Sequence, residues 1–338
     1  MRGKQSRYGA SYWWALLPLV VLPFLALLSL SVGAYKPLGL NTLLHYVFGL
    51  SKPTPLERSI IRLRLTRTLA GIVAGSALAY AGSSLQYVFR NPLADPYIFG
   101  IASGASFAIT LALFLGASDP TTLYLAALAG STVTLAIVAL GGLLGGGSAF
   151  SYIVSGVAIG YLMWAASTII LIALGPRAHY SLSWLFGTLA YVNNGELKVS
   201  SLMMLAVTAT AIAMGKRYSK LLLGRDVAAV YGAPYRRLLA ELVLLSGVAT
   251  ASATALTGPI GFVGLVAPWI SRVTVGSLYS RFTLVGMMWG SILVLASDVA
   301  ARMMSGYVEM PLTAIMAFVG VPVIIYIMYE SRGGAPWG

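Results

Sequence analysis

The sequence predicts an all-α, polytopic membrane protein, because apolar residues dominate it and charged residues are scarce. Of its 338 residues, 58% are hydrophobic and 9% are charged, and the mean hydropathy is +0.85. A soluble globular domain carries about 25% charged residues. The apolar residues are gathered into segments of about 20, the length with which an α-helix crosses a bilayer. We expect a single transmembrane domain over residues 1–338.

Nine apolar segments of spanning length and a shorter one near 259–271 predict about ten transmembrane helices. The first follows Arg2, Lys4 and Arg7 and is expected to remain as a helix rather than to be cleaved as a signal peptide. An even number of spans places both termini on one side of the membrane. The nine longer segments lie near 13–32, 65–89, 97–116, 121–144, 150–175, 197–214, 237–257, 283–303 and 310–329.

The basic loop residues predict that both termini are cytoplasmic, because cytoplasmic loops carry an excess of Lys and Arg. Six basic residues crowd the loop after the sixth long segment: Lys216, Arg217, Lys220, Arg225, Arg236 and Arg237. The chain has 22 Lys and Arg against 9 Asp and Glu. These cations lie in short loops and not on a solvated face, so we expect no nucleic-acid partner. The expected location is the plasma or inner membrane of the cell.

Basic residues also lie on the outer face, against the positive-inside bias. Arg58, Arg62, Arg64 and Arg67 lie at the outer end of the second helix, and Arg302 lies at the outer end of the ninth. The spacing of Arg64 and Arg67 places them on one helical face. Composition leaves two explanations open: the arginines bind lipid headgroups or structural partners, or they bind carboxylates of a soluble protein.

Two breaks interrupt the apolar pattern. One is Arg90–Pro96, with Asn-Pro and Asp-Pro, and the other is Gly258–Pro268. A residue before proline avoids the helical region, and irregular backbone at membrane depth is tolerated where it is buried in protein or lines a cavity. Each break follows a helix rich in Ala and Gly, and the two helices run in opposite directions. This pattern favours an inverted repeat of the kind that transporters use.

Two acidic residues lie inside apolar helices, where a carboxylate is costly and is usually paired or functional. Asp298 precedes Arg302 by four residues, and Glu241 follows Arg237 by four. Structural ion pairs along each helix are therefore favoured over proton relays. Asp298 is the candidate that a proton- or sodium-coupled transporter would need.

The loop Leu221–Pro234 lies between two spanning helices on the cytoplasmic side. Gly224 can end one short turn, Asp226 can cap the next, and Gly232 with Pro234 can stop it. Such a helix suits docking into another protein, although a plain interfacial linker fits the pattern equally well. No Gly-x4-Gly-Lys-Ser/Thr phosphate loop occurs in the sequence, so we expect another chain to bind any nucleotide.

In this order and spacing, eight blocks resemble the permease subunits of ABC importers for iron chelates, haem and cobalamin, the BtuC/FecCD type. The resemblance covers about residues 15–330. The blocks are RLTRTLAGIVAG (64–75), QYVFRNPLADPYIFGIASGAS (86–106), SYIVSGVA (151–158), WLFGTLA (184–190), LGRDVAAVYG (223–232), GPIGFVGLVAPWISR (258–272), SDVAAR (297–302) and EMPLTAIMAFVGVP (309–322).

The resemblance implies a type II ABC importer permease fold and a homodimer with the pathway between the subunits. It also implies two cytoplasmic ATP-binding subunits, which carry ATP and Mg, and an extracytoplasmic substrate-binding protein; the chain itself is expected to bind no cofactor or metal and to catalyse no reaction. Three arginines would dock the binding protein: Arg64, Arg67 and Arg302. The ATPase-coupling residues would be Leu221, Leu223, Gly224, Asp226, Ala228, Ala229 and Gly232. The gate residues would be Asn91, Leu93, Ser148 and Ala149.

The resemblance also implies alternating access and a metal chelate as substrate: cobalamin, haem or an iron–siderophore. The alternatives are an oxyanion such as molybdate or tungstate and, from another class, an ion-coupled secondary transporter. The sequence departs from the family pattern at four positions, where proline, histidine, glycine and leucine respectively are usual: Thr66, Trp269, Thr313 and Tyr231. We expect these departures to affect details of gating and of the ATPase contact.

Overall fold

The computed structural model describes residues 12–33, 38–175, 184–230, 234–304 and 310–331. These residues form twelve α-helices: α1 (Tyr12–Ser31), α2 (Leu40–Val47), α3 (Pro55–Phe89), α4 (Ile101–Phe114), α5 (Pro120–Leu144), α6 (Ala149–Leu174), α7 (Asn194–Tyr218), α8 (Arg225–Val230), α9 (Tyr235–Thr257), α10 (Val263–Val275), α11 (Tyr279–Met304) and α12 (Leu312–Ser331). Two 3-10 helices, Pro96–Phe99 and Ser219–Leu223, precede α4 and α8.

The predicted all-α membrane fold is confirmed. Within the described residues, seven helices are long and apolar enough to cross a membrane, and three shorter apolar helices are α4, α10 and the Leu16–Ser31 part of α1. These ten match the ten predicted segments. The short helices α2 and α8 are the remaining two, and they lie between spans. In the predicted orientation, with the N-terminus inside, this order directs α3 inward and α9 outward, and the inner and outer helix ends are named in that orientation.

Helix α3 forms the centre of the molecule and begins ten residues before the predicted span. Thr54 and Glu57 form a capping box at its start, and Pro55 occupies the first turn. Such a cap satisfies otherwise unpaired backbone N–H groups and favours a helix that projects beyond the apolar segment. The helix packs against α9, α10 and α11.

Glycines allow α3 to approach its neighbours closely. A Cβ added to Gly75 would lie 2.4 Å from the Gly290 carbonyl oxygen, and one added to Gly82 would lie 1.9 Å from the Gly264 carbonyl oxygen. Both contacts join backbone to backbone, so a side chain at either position would force the helices apart.

The two predicted breaks have a common backbone feature. Arg90 ends α3 with φ 50°, and Phe262 precedes α10 with φ 68°; among the described residues these are the non-glycine residues with positive φ. Left-handed backbone is costly for residues with a Cβ and persists where packing enforces it. The Phe262 ring packs against Gly320 of α12. The two breaks therefore have defined, packed backbone conformations and are not frayed helix ends.

Candidate functional site

Asp298 lies at the centre of a buried ionic cluster at the outer ends of α3 and α11. Its side chain is 0% exposed, and Oδ1 lies 2.7 Å from Nη2 of Arg67 while Oδ2 lies 2.9 Å from Nη2 of Arg302. The predicted pair between Asp298 and Arg302 is confirmed. The pairing with Arg67 was not predicted, because the two residues are 231 positions apart.

The end of α1 is bonded to the same cluster. Nη1 of Arg64 donates to the carbonyl oxygens of Leu30, Ser31 and Leu38 at 2.8, 3.1 and 2.9 Å. Nη1 of Arg302 donates to the carbonyl oxygens of Ser29 and Val32 at 2.9 and 2.6 Å. The last carbonyls of a helix have no intrahelical donor and carry a partial negative charge, so cations stabilise them. The arginines therefore fasten α1 to α3 and α11.

These contacts leave the three predicted docking arginines little accessible surface. Arg64 is 6% exposed, and the side chains of Arg67 and Arg302 are 15% and 8% exposed. In contrast, Arg58 and Arg62 are exposed on the outer part of α3. Docking by Arg64, Arg67 and Arg302 remains a prediction. The sequence grouped all five arginines together but could not distinguish the buried ones from the exposed ones.

The first predicted gate segment, Asn91–Leu93, forms a tight turn directly after α3. Oδ1 of Asn91 accepts a hydrogen bond from the backbone N–H of Leu93 at 2.9 Å. Asp95 then caps the following 3-10 helix, because its Oδ1 accepts from the Tyr97 N–H at 2.8 Å. Asn91 is exposed, and Leu93 is 40% exposed. The turn thus presents a polar and an apolar side chain at the inner end of α3.

The second predicted gate segment, Ser148–Ala149, starts α6. Oγ of Ser148 accepts a hydrogen bond from the Ser151 N–H at 3.1 Å, and Ser148 is exposed. The 3-10 helix after the first gate turn packs against α6, where a Cβ added to Gly156 would lie 2.5 Å from the Ile98 carbonyl oxygen. Thus α6 carries one gate segment and supports the other.

The predicted coupling residues lie on two short helices at the inner face, Ser219–Leu223 and α8, which meet at Gly224 with φ +85°. Leu221 and Ala228 are 1% and 0% exposed and pack within the permease core, whereas Val227 and Val230 are 46% and 85% exposed. Of the other predicted residues, Leu223, Asp226 and Ala229 belong to these helices, and Gly232, like Tyr231, lies outside the described residues.

The burial of Ala228 changes one detail of the coupling prediction. A methyl group without exposed surface supports the helix from beneath and has no surface to offer a partner. The accessible apolar surface of this segment belongs instead to Val227 and Val230, which the sequence analysis did not single out. The role of the segment as a whole remains a prediction.

Three of the four departures from the family pattern have identified contacts. Oγ1 of Thr313 donates to the Pro259 carbonyl oxygen at 2.9 Å and accepts from the Gly261 N–H at 3.3 Å. Oγ1 of Thr66 donates to Oδ1 of Asn194 at 2.7 Å. The Trp269 ring packs edge-on against that of Tyr326, with centroids 5.5 Å apart. These side chains stabilise the second break, the α3–α7 contact and the α10–α12 contact.

The buried helix pairs, the broken inner end of α3 and the exposed inner helix α8 define an integral membrane permease. The chain belongs to the FecCD transport family, whose model matches residues 21–330. It is thus a permease subunit of an ABC transporter and is not itself the ATP-hydrolysing subunit.

Relatives and a solved structure agree with this assignment. The chain is 35% identical over 322 residues to the ferric enterobactin transport system permease protein FepD of Escherichia coli (strain K12), covering 94% of this chain and 95% of that one. It is 30% identical over 321 residues to the hemin transport system permease protein HmuU of Yersinia pestis, covering 93% and 94%. A structure described as an inward-facing conformation of a metal-chelate type ABC transporter matches with a TM-score of 0.82 and 28% identity, covering 94% of this chain and 98% of that one.

Proposed function

We propose that this chain forms, as a homodimer, the translocation pathway of an ATP-driven importer for a metal chelate. The substrate class is an iron–siderophore, haem or cobalamin, and relatives named for ferric enterobactin and hemin transport support it. The partners are two cytoplasmic ATP-binding subunits and an extracytoplasmic substrate-binding protein. Both termini lie in the cytoplasm, in accordance with the basic inner loops.

The structural observation that supports the homodimer is the exposed apolar surface of α6 and α12, which lipid or a second copy would cover. In their most apolar windows, 17% of α6 and 22% of α12 are buried inside the subunit, against 78% of α3. Large side chains stand out from α6, such as Tyr161 at 69% and Trp164 at 62% exposed. Because Ser148 caps the start of α6, a second copy packed on this face would bring two gate segments together at the symmetry axis.

Alternating access would follow from movement at the inner face. The exposed apolar residues Val227 and Val230 suit a groove on an ATPase subunit, since a short helix commonly docks with its apolar side chains. When two ATPase subunits close on ATP, the coupling helices would move with them. The gates at Asn91–Leu93 and Ser148–Ala149 would open or close in response.

On the outer face, the binding protein would dock through carboxylates on an arginine-rich surface. Arg64, Arg67 and Arg302 would hold the ends of α1, α3 and α11 as one platform, and the exposed Arg58 and Arg62 would offer the most accessible charge. Interfacial charge pairs of this kind increase the association rate and are sensitive to salt.

The ion-coupled alternative has less support from the structure. Asp298, the one acidic residue that the sequence offered for a proton relay, lies between two arginine guanidinium groups. Such pairing on both sides of the side chain supports a structural role for Asp298. Transport of an oxyanion remains an alternative that a direct uptake assay distinguishes.

The decisive experiment is uptake into proteoliposomes that contain this chain together with its ATPase subunit and its binding protein. Uptake of a ferric siderophore, haem or cobalamin should require ATP, and no uptake should occur with an ATPase variant that binds ATP without hydrolysing it. Uptake of molybdate instead would replace the substrate class, and uptake driven by a proton or sodium gradient alone would refute the proposal. In the same complex, Ser148→Cys should crosslink between the two copies, because the two gate segments would meet at the symmetry axis. The natural chain has no cysteine, so the crosslink within the dimer can form only between the introduced residues.

A further inference from the structure

We propose that Arg90 is the mechanical link between the coupling helices and the inner gate. The inference rests on the proposed function, which assigns coupling to residues 219–230 and gating to Asn91–Leu93. It adds the residue through which a movement of the coupling helices is transmitted to the gate turn. Arg90 has no role in the functions considered above, although it stands between the two elements.

The side chain of Arg90 reaches the coupling helices. Its Nη2 donates to the carbonyl oxygen of Leu222 and, at 3.4 Å, to that of Leu221. Both acceptors lie in the last turn of the 3-10 helix Ser219–Leu223, where carbonyl groups carry the partial negative charge of a helix C-terminus. The guanidinium group is planar and rigid, so its N–H groups donate in fixed directions, whereas the donors of an ammonium group rotate freely. The contact therefore fixes the orientation of the 3-10 helix relative to Arg90 as well as the distance between them.

Gly224 lies directly beside the guanidinium group of Arg90, and its lack of a side chain makes room for this contact. A Cβ added to Gly224 would lie 2.9 Å from Nη2 of Arg90, and the φ of Gly224 is +85°. A side chain here would strain the backbone and would force the guanidinium group to shift from its position. Glycine at the junction of the two coupling helices thus leaves room for Arg90.

The backbone of Arg90 begins the gate turn. Arg90 caps α3 in the left-handed conformation, with φ 50° and ψ 34°, and the next three residues are Asn91, Pro92 and Leu93. The direction in which the chain leaves α3 is therefore set by the residue whose side chain holds the coupling helices. A displacement of those helices would pull on the guanidinium group and rotate the start of the turn.

Tyr87, one turn earlier, gives the same end of α3 a second contact. Its hydroxyl group donates to the Ser219 carbonyl oxygen at 3.3 Å, and its ring lies edge-on to that of Tyr279 with centroids 5.1 Å apart. Tyr87 is 1% exposed. The last turn of α3 is thus bonded to the coupling helices on one side and packed into the core on the other. This rigidity allows a movement at one element to be transmitted to the other.

The test measures the gate directly and needs no substrate. Leu93→Cys in the assembled complex with its ATPase provides one spin-label position per subunit, and the distance between the two labels is measured without nucleotide and with ATP and Mg. We expect the distance to change in the unmodified complex. Arg90→Ala should lose this change while ATP is still hydrolysed. Arg281→Ala, which removes an exposed arginine at the inner start of α11, should keep it.

A second variant approaches the same contact from the other side. Gly224→Ala leaves Arg90 in place but obstructs its site, so it should also lose the distance change. Gly116→Ala is the matched control, because Gly116 has a similar φ of +96° but no neighbouring atom within 4 Å of an added Cβ. That control should behave like the unmodified complex.

The outcomes separate the link from the proposed function. A distance change that persists in Arg90→Ala or Gly224→Ala would overturn the link and leave the gate and coupling assignments intact. Failure of Arg90→Ala to assemble or to hydrolyse ATP would assign Arg90 to assembly and overturn its role as a link. An unmodified complex without a nucleotide-dependent distance change would instead refute the gate placement in the proposed function, and the link with it.

Discussion

Replacement of Asp298 by asparagine should destabilise the protein strongly. The carboxylate is 0% exposed and is the negative partner of Arg67 and Arg302, whose side chains are 15% and 8% exposed. Asn keeps the volume of the side chain but leaves two nearby positive charges without compensation. Removal of one partner from a buried ionic pair costs about 3–5 kcal/mol. An unfolding entropy of about 2.1 cal/mol/K per residue gives about 0.7 kcal/mol/K for 338 residues, so the midpoint of thermal unfolding should fall by about 4–7 °C.

The measurement is thermal unfolding of the purified chain in detergent at one fixed scan rate, because unfolding of large proteins is commonly irreversible and rate-dependent. Glu241→Gln is the matched control, since Glu241 pairs along one helix with Arg237, whose side chain is 80% exposed. A surface pair of this type contributes about 0.3–0.5 kcal/mol, so the control should shift the midpoint by less than about 1 °C. Equal shifts for the two variants would refute the conclusion that the Asp298 cluster holds the outer helix ends together.

Three further predictions concern helix packing and the two partner surfaces. Gly82→Ala should lower the same unfolding midpoint, because the added methyl group would lie 1.9 Å from the backbone oxygen of Gly264 and overpacking costs about 1–3 kcal/mol; an unchanged midpoint would contradict the close contact. Val230→Asp places a charge on a residue that is 85% exposed, so it should reduce co-purification of the ATPase without altering thermal stability, and undiminished co-purification would exclude this residue from the contact. Arg62→Glu should slow association of the binding protein, measured by surface plasmon resonance, and weaken its dependence on salt; an association rate unaffected by the substitution and by salt would place docking elsewhere.

The spans could be predicted because the length of an apolar segment is a local property. Each of the ten predicted segments corresponds to an apolar helix in the described part of the chain. The start of α3 was misplaced by ten residues, since the arginines of its outer turns lowered the apolar character there. The cap formed by Thr54 and Glu57 was present in the sequence and could have indicated the earlier start.

The breaks were also predictable, but their construction was not. Asn-Pro and Asp-Pro indicate that α3 ends near Arg90, because proline restricts the residue before it. The left-handed conformation of Arg90 and Phe262 is not encoded by their residue types, which seldom adopt it. Packing around each break enforces these conformations, and that packing exists only in the folded chain.

The resemblance of eight ordered blocks in the sequence indicated the class of this protein, a permease of an ABC importer. Composition and residue pattern by themselves determined the all-α membrane fold, the pattern of spans, the two breaks and the position of the short helices. These properties follow from hydrophobic length, proline and glycine positions and loop charge, which act over a few residues. Only the tertiary structure decided that Asp298 binds Arg67 as well as Arg302, that Ala228 is buried in the core, and that Arg90 contacts the 3-10 helix Ser219–Leu223. Such relationships join residues up to 231 positions apart, so they depend on how the helices pack and on which side each side chain projects.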